Sequence, residues 1–207
     1  MSTLKVTWPP GFSPGGVPST IANLSPVPST WPLALTQGKR RPSGVLMLFF
    51  LSSDSEGPAS SVARVLFIKR SSGLRSHRGQ VGFPGGRADE GESSPAATVL
   101  RECSEEIGLG ENQIKLLGAL PPINALDGSP VLPLVGACTD ASVRLVPSPE
   151  EVADIFFMPW TSVSRVALQD FSFTVFGRRR SSPWFPGAPH AIWGLTAKIL
   201  ESAALEP

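Results

Sequence analysis

The chain has 207 residues, which is enough for one sizeable domain or two very small ones. Hydrophobic residues make up 41% of it, so it can bury a substantial core, and wholesale disorder is excluded. The net charge of +1 provides no global field to attract nucleic acid or an anionic membrane, so any anion binding must be local.

Cysteine content and apolar runs exclude two further classes. The chain contains two cysteines, Cys103 and Cys138, too few for a disulfide framework. The longest apolar run, residues 45–51, is too short to span a bilayer. No signal peptide, presequence or peroxisomal tripeptide is recognisable at either end. We therefore expect an intracellular protein without a membrane span, in the cytoplasm or in an organelle such as the mitochondrion or peroxisome.

The first 42 residues differ in composition from the rest. They hold eight of the 22 prolines, together with scattered Ser, Thr and Gly. Because proline breaks helices and removes a donor from strand ladders, this segment is expected to be extended or irregular. Trp8, Phe12 and Trp31 could dock it onto the body. We therefore predict a Pro-rich extension over residues 1–42 and one folded domain over residues 43–207.

From residue 43 onward, short apolar runs alternate with turn signals, a pattern typical of strands. Strands or extended segments are predicted at residues 44–51, 62–70, 80–86, 114–120, 131–139, 152–158 and 171–176. An amphipathic closing helix is predicted over residues 190–205.

A further helix is predicted between the third and fourth of these segments. Ser94 can cap it, Pro95 suits its first position, and Gly108 suits the left-handed residue that ends a helix. Its apolar residues recur on one face at helical spacing: Ala96, Val99, Leu100, Cys103 and Ile107. Strands with two helices in this order predict a mixed α/β sandwich rather than a doubly wound parallel sheet.

Three carboxylates crowd one turn of this helix, opposite its apolar face. Glu102, Glu105 and Glu106 should repel one another unless something offsets their charge. A hard divalent cation would do so, and Mg²⁺ prefers oxygen ligands. The alternative is a solvated acidic face. The preceding Gly86 would let a backbone carbonyl approach a cation, and Arg101 can pair with a carboxylate, so the context favours the metal site.

This segment resembles the Nudix box, in which a glycine, five residues and a glutamate precede R-E-apolar-x-E-E-x-G-apolar. The matching positions are Gly86, Glu92, Arg101, Glu102, Cys103, Glu105, Glu106, Gly108 and Leu109. Eight residues separate Glu92 from Arg101, whereas the family pattern has seven. Cys103 fills an apolar slot and is interpreted as packing rather than as a nucleophile.

The resemblance implies a Nudix-type α/β/α sandwich with a mixed sheet and a diphosphatase that uses Mg²⁺ or Mn²⁺. It implies that Glu102, Glu105 and Glu106 hold the metal, with the carbonyl of Gly86, and it places Arg101 within the catalytic motif. One glutamate could instead orient or deprotonate the water, and the general base is left open.

The preceding stretch, residues 66–86, resembles the additional signature of Nudix coenzyme A diphosphatases. The matching positions are Leu66, Arg70, Ser71, Arg75, Gly79, Val81, Phe83, Pro84, Gly85 and Gly86. Phe67 and Ile68 depart from it. The resemblance implies hydrolysis of coenzyme A or acyl-coenzyme A to (acyl-)4′-phosphopantetheine and adenosine 3′,5′-bisphosphate.

Arginines in this stretch support a phosphate-rich small molecule as substrate. Guanidinium groups bind phosphate with two-pronged geometry, so Arg70, Arg75 and Arg78 are predicted substrate contacts. Solvated loop arginines are the alternative. Other Nudix hydrolases act on different nucleoside diphosphate derivatives or on RNA 5′ ends, but the near-neutral charge argues against nucleic acid. A non-catalytic Nudix-like binding protein is disfavoured by the complete set of glutamates.

Three remaining features receive structural interpretations. Glu150 and Glu151 are interpreted as a surface pair, with a catalytic role as the alternative. The basic cluster at residues 177–182 is interpreted as a solvated loop. The closing helix has an apolar face formed by Ile192, Leu195 and Ile199. This face is assigned to packing in the core or in a dimer, which leaves a homodimer open.

Overall fold

A computed structural model describes residues 21, 23–38, 40–53, 61–74, 76–138, 142–162, 169–175, 177–185 and 188–204. The strands are β1 (Ser43–Ser53), β2 (Ser61–Arg70), β3 (Val81–Gly82), β4 (Gly85–Arg87), β5 (Ile114–Ala119), β6 (Ile123–Asn124), β7 (Pro130–Cys138), β8 (Val152–Pro159), β9 (Gln169–Val175), β10 (Arg178–Phe185) and β11 (Ile192–Trp193). The α-helices are α1 (Leu33–Thr36), α2 (Pro95–Ile107) and α3 (Gly194–Ala203).

The main sheet is mixed. Its strand order is β3-β2-β1-β7-β5, with β4 alongside β1, β6 alongside β7 and β8 alongside β2. β1 and β7 run parallel, whereas β1 is antiparallel to both β2 and β4. The strands β9, β10 and β11 form a second, antiparallel sheet.

Alternate residues of β1 point into separate parts of the core. Met47 and Phe49 pack with Ile199 of α3, whereas Leu46 and Leu48 pack with α2. A strand that is buried on both faces needs apolar residues at successive positions, which explains the unbroken apolar run of β1. The predicted α/β/α sandwich is therefore confirmed.

The described part of the N-terminal extension packs against the folded body. Ile21 and Leu24 are fully buried, and Trp31 and Leu35 are nearly so. Ser25 forms an isolated bridge with β5, and α1 adds a short helical turn to a segment predicted to be extended or irregular. The docking predicted for Trp31 is thus observed, while Trp8 and Phe12 lie outside the described residues. The boundary between residues 1–42 and 43–207 stays a prediction.

Most predicted strands are present, with ends that differ by a few residues. The basic cluster at residues 177–182 was wrongly interpreted as a loop, because residues 178–182 belong to β10, which pairs with β9 in a hairpin. The closing helix begins at Gly194 rather than at residue 190, since residues 192–193 form β11. Ile192 and Ile199 lie in the core, and a homodimer stays a prediction. None of the helices in the described part of the chain has the length and apolar character needed to span a bilayer.

Candidate active site

The helix α2 is fixed at both ends by its own sequence. The Ser94 hydroxyl accepts hydrogen bonds from the backbone N–H groups of Ala96 and Ala97, at 3.2 and 3.4 Å. Gly108 ends the helix with φ of 69°, a left-handed conformation that glycine adopts at low cost. Both predicted caps are confirmed. They fix where α2 begins and ends, while the packing of Val99, Cys103 and Ile107 in the core sets the direction in which its glutamates project.

Two glycines allow the strand β4 to run close beside the acidic face of α2. Gly85 has φ of 146°, and a Cβ there would lie 2.3 Å from the carbonyl oxygen of Gly44 on the paired strand β1. A Cβ on Gly86 would lie 2.3 Å from Oε1 of Glu102. A side chain at Gly85 would clash with the backbone of β1 and push β4 away, whereas one at Gly86 would displace the Glu102 carboxylate.

Glu106 is the most buried of the three glutamates, with only 1% of its side chain exposed. Its carboxylate accepts hydrogen bonds from the N–H of Gly85 at 2.9 Å and from Nη1 of Arg70 at 3.1 Å. Burial raises the pKa of Glu106 to about 7, although both donors act in the opposite direction. The sequence placed Glu106 opposite the apolar face, but its side chain is covered because β4 and the end of β2 pack over that side of the helix.

Arg101 holds the other carboxylates through a single guanidinium. Its Nε donates to Glu92 at 2.9 Å, its Nη1 donates to Glu105 at 2.7 Å, and its Nη2 lies 3.0 Å from Glu102. Glu92 also accepts from the hydroxyl of Thr98 at 2.7 Å. Burial alone would raise the pKa of Glu92, but the hydrogen bonds from Arg101 and its other donors lower it. Glu92 therefore braces α2 despite the extra residue between it and Arg101.

The predicted ligand set has the chemistry of a hard-cation site. Glu102 is 13% exposed and Glu105 is 53% exposed, so their oxygens are accessible from one side of α2. The close approach of Gly86 to Glu102 brings backbone and carboxylate together at the position where both are predicted ligands. Burial raises the pKa of Glu102, a cost that a bound cation would offset. The oxygen-rich donor set therefore fits Mg²⁺ or Mn²⁺.

The carboxylates are paired with arginines rather than gathered around one point. Among the described residues, no group of three or more acidic, histidine or cysteine side chains converges as a ready-made metal site. Arg101 pairs with Glu102 and Glu105, and Arg70 pairs with Glu106. These two arginines already offset part of the repulsion that the sequence pattern implies.

The three glutamates open onto a cleft of about 600 Å³, here called the acidic cleft. Its described lining includes the following residues, with Ser43, Val45 and others: Arg70, His77, Gln80, Gly85, Gly86, Arg87, Glu102, Glu105, Glu106, Asp127, Ser129, Glu151, Trp193, Leu195 and Ile199. One wall thus carries the carboxylates, and the start of α3 supplies an apolar wall. The cleft combines groups that could hold a cation, an anion and an apolar moiety.

The predicted substrate arginines differ in their positions. Arg70 lines the acidic cleft, and its buried Nε has no hydrogen-bond partner among the described residues. Arg78 is exposed, donates through Nε to the carbonyl of Leu74, and is not among the described residues that line the cleft. Arg75 lies outside the described residues. Arg87, which the sequence reasoning missed, lines the cleft directly after the glycine pair, and its position next to Gly86 was the available signal.

Glu151 also lines the acidic cleft and is half-buried, which separates it from its neighbour Glu150. The preceding loop is attached to the end of α2, where the N–H of Ser148 donates to the carbonyl of Glu106 at 2.9 Å. This bond satisfies a carbonyl that would lack a partner at a helix end. The negative charge of Glu151 contributes to raising the pKa of both Glu102 and Glu106. Glu150 is exposed and absent from the described lining.

Cys103 is fully buried beneath the acidic face. Burial raises the pKa of its thiol, with smaller contributions from the charges of Glu106 and Glu102. A buried thiol with a raised pKa is a poor nucleophile. This environment supports the interpretation of Cys103 as a packing residue.

Comparison with known proteins agrees with this arrangement. A sequence model of the NUDIX domain matches residues 40–184. An uncharacterised Nudix hydrolase NudL from Pectobacterium atrosepticum is 37% identical over 145 residues, covering 69% of this chain and 74% of that protein. A NudL protein from Photorhabdus laumondii is 38% identical over 145 residues, covering 68% of this chain and 75% of that protein.

A solved structure shows the same fold. The crystal structure of a MutT/nudix family protein from Enterococcus faecalis superimposes with a TM-score of 0.51 at 16% sequence identity. The superposition covers 80% of this chain and 61% of that one. At this identity the similarity concerns the fold alone.

Proposed function

The chain belongs to the Nudix family of hydrolases, and we propose that it cleaves the diphosphate of coenzyme A or acyl-coenzyme A. The products would be (acyl-)4′-phosphopantetheine and adenosine 3′,5′-bisphosphate. The observation that carries the proposal is the acidic cleft, where the glutamates of α2 line one cavity together with Arg70 and Arg87. Residues 66–86 carry the sequence pattern that resembles the coenzyme A diphosphatases.

Nudix hydrolases generally use divalent metal ions, and this chain offers oxygen ligands for one. We propose that Glu102, Glu105, Glu106 and the carbonyl of Gly86 would hold Mg²⁺ or Mn²⁺. A cation bound there would stabilise the charge on the phosphoryl oxygens and activate a water molecule. The burial of Glu106 and Glu102 favours a positive partner over solvent, since their negative charges are partly removed from water.

The chain's own residues would divide the remaining work. Arg70 and Arg87 would bind phosphate oxygens through their guanidinium groups, whose fork matches phosphate geometry. Water would add its oxygen to one phosphorus, the bridging P–O bond would break, and the bridging oxygen would leave with the other phosphate. Glu151, a cleft carboxylate outside the helix, would take the proton of the water. Arg101 would act as a positioning residue, because it contacts Glu102 and Glu105 but is not in the described cleft lining.

A product assay across several substrates tests the proposal. Purified protein is incubated with coenzyme A, octanoyl-coenzyme A, NADH, ADP-ribose or 5′-triphosphorylated RNA, in Mg²⁺ or Mn²⁺, and the products are resolved by chromatography. We expect the highest kcat/KM with a coenzyme A compound, cleavage at the diphosphate, and loss of turnover in EDTA. Higher kcat/KM with NADH, ADP-ribose or RNA would overturn the substrate assignment while leaving the family assignment intact.

Two variants test whether turnover depends on a carboxylate in the acidic cleft rather than on any surface carboxylate. Glu102→Gln should lower kcat by about 100-fold or more, because it removes a charge proposed to hold the cation. Glu111→Gln is the matched control, since Glu111 is exposed and is absent from the described cleft lining.

Dephospho-coenzyme A should have a kcat/KM about tenfold lower than coenzyme A if a basic group binds the 3′-phosphate. Equal values would show that the 3′-phosphate is not recognised.

A further inference from the structure

The second sheet carries three aromatic side chains on one face. Phe171 lies opposite Ser182 on β10, and Trp184 lies opposite Trp193 on β11. Because residues 182 and 184 are two apart on one strand, Phe171, Trp184 and Trp193 share one face. The neighbouring Phe185 points the other way, into the core.

These side chains line a pocket of about 380 Å³, here called the aromatic pocket. Its described lining is Phe171, Trp184, Ala191 and Trp193. The volume lies in the range of small-molecule pockets, and each described lining residue is apolar. Such a lining offers few hydrogen-bonding groups and suits a hydrocarbon chain.

Trp193 connects the aromatic pocket to the acidic cleft, because this one residue lines both. On the cleft side, Leu195 and Ile199 continue the apolar wall from Trp193. The acidic cleft and the aromatic pocket therefore adjoin at Trp193. The cleft is lined partly by charged side chains, whereas the described lining of the pocket is apolar.

We propose that the aromatic pocket binds the acyl chain of an acyl-thioester substrate whose diphosphate lies in the acidic cleft. The proposal rests on the proposed function, because it requires a substrate with a diphosphate and an apolar tail. It assigns the protein a preference for acylated over free coenzyme A. It also assigns Phe171 and Trp184 as determinants of chain-length specificity.

A chain-length series tests the proposal. The ratio of kcat/KM for acetyl-, butanoyl-, hexanoyl- and octanoyl-coenzyme A to that for coenzyme A is measured under one set of conditions. A fully buried methylene contributes about fourfold in binding, so the ratio should rise steadily as the chain enters the pocket. If the ratio does not change with chain length while coenzyme A is clearly turned over, the aromatic pocket does not bind the acyl chain and the proposed function still stands. Failure to cleave any coenzyme A compound would instead refute the proposed function.

Phe171→Ala tests whether the chain-length dependence arises in the aromatic pocket. Phe171 is 47% exposed, so a bound chain would cover about half of its side chain. Its loss should lower the octanoyl-to-free ratio by about fivefold. Leu33→Ala is the matched control, because Leu33 is an apolar side chain of α1 that is 70% exposed and absent from both described linings. This variant should keep the wild-type ratio, and an equal loss in both variants would overturn the assignment.

Binding without turnover gives an independent readout. In EDTA, calorimetry should show that Phe171→Ala raises the Kd of octanoyl-coenzyme A by about fivefold and that of coenzyme A by much less. A second copy of this chain is the competing occupant of an exposed aromatic face. If Phe171→Asp converts a dimer to a monomer in light scattering and the chain-length ratio is unchanged, the face is a dimer interface and the proposal is wrong.

Discussion

Replacing Arg101 with lysine tests how the acidic face is held together. The guanidinium donates to Glu92 and Glu105 and lies 3.0 Å from Glu102, so one planar group serves three carboxylates in different directions. Lysine keeps the positive charge but carries its donors on a single nitrogen. Arg101→Lys should therefore lose about two charged hydrogen bonds and leave at least one carboxylate without its partner.

The expected loss of stability follows from these contacts. A hydrogen bond to a charged group contributes about 1.5–3 kcal/mol, and removing one partner of a partly buried pair adds a desolvation cost to the other. Because Arg101 is 25% exposed, solvent screens the pairs only in part, and a net loss of about 2–4 kcal/mol is expected. For a chain of this size the melting temperature should fall by roughly 5–15 °C.

Urea unfolding followed by circular dichroism measures the change, with the m-value as the check that the denatured state is unaltered. Arg40→Lys is the matched control, because Arg40 pairs with Asp127 at 2.8 Å on an exposed surface. That pair should contribute less than about 1 kcal/mol. If the two variants lose similar amounts, the shared guanidinium does not stabilise α2 and the reasoning is refuted.

Three other changes give independent tests. Glu106→Gln should remove most turnover; in EDTA it should also flatten the pH dependence of stability, because the pKa of Glu106 is raised from 4.5 to about 7 in the folded state. The Glu106 contribution to the free energy of unfolding should then be fully present below pH 4.5 and fall by about 3 kcal/mol as the pH rises through 7, so the wild type should lose about that much more than Glu106→Gln over this window in urea unfolding; equal losses in the two proteins would contradict the assignment. Gly86→Ala should displace the Glu102 carboxylate and raise the Mg²⁺ concentration for half-maximal activity by about tenfold or more, whereas an unchanged metal titration would show that the close approach is not needed. Deleting residues 1–38 removes Trp31, whose side chain is only 8% exposed. The free energy of unfolding should fall by at least roughly 3–5 kcal/mol, the loss typical of one buried aromatic side chain. Unchanged urea unfolding would show that this segment does not contribute to the core.

Local signals made the helix α2 predictable. Ser94, Pro95 and Gly108 act within one turn of the helix ends, so their effects can be read from neighbouring residues. The apolar strands β1 and β2 were equally readable, since burial on both faces leaves an unbroken apolar run. The family pattern then brought Glu102, Glu105 and Glu106 to one candidate site.

Long-range packing accounts for what the sequence reasoning missed. Glu106 is buried because β4 and the end of β2 pack over it, and no local pattern reports that contact. Glu151 reaches the acidic cleft through a loop bonded to the far end of α2. β10 begins with three arginines, which resemble a solvated loop, although its pairing with β9 is regular. Ile21 and Leu24 are buried from within a proline-rich segment that carries no periodic pattern.

Charge balance links the predictable and unpredictable parts of the site. The repulsion among the three glutamates suggested a cation, but the fold supplies two arginines that already offset part of it. Arg101 is adjacent in sequence and could be anticipated, whereas Arg70 lies 36 residues before Glu106 and meets it only through the tertiary fold. Glu106 is paired in this way, yet burial still raises its pKa to about 7, so the arginines leave part of the cost of its charge uncompensated. An acidic cluster in a sequence therefore identifies a charge that must be compensated, and only the arrangement of all its partners shows how the compensation is shared between the protein and a ligand.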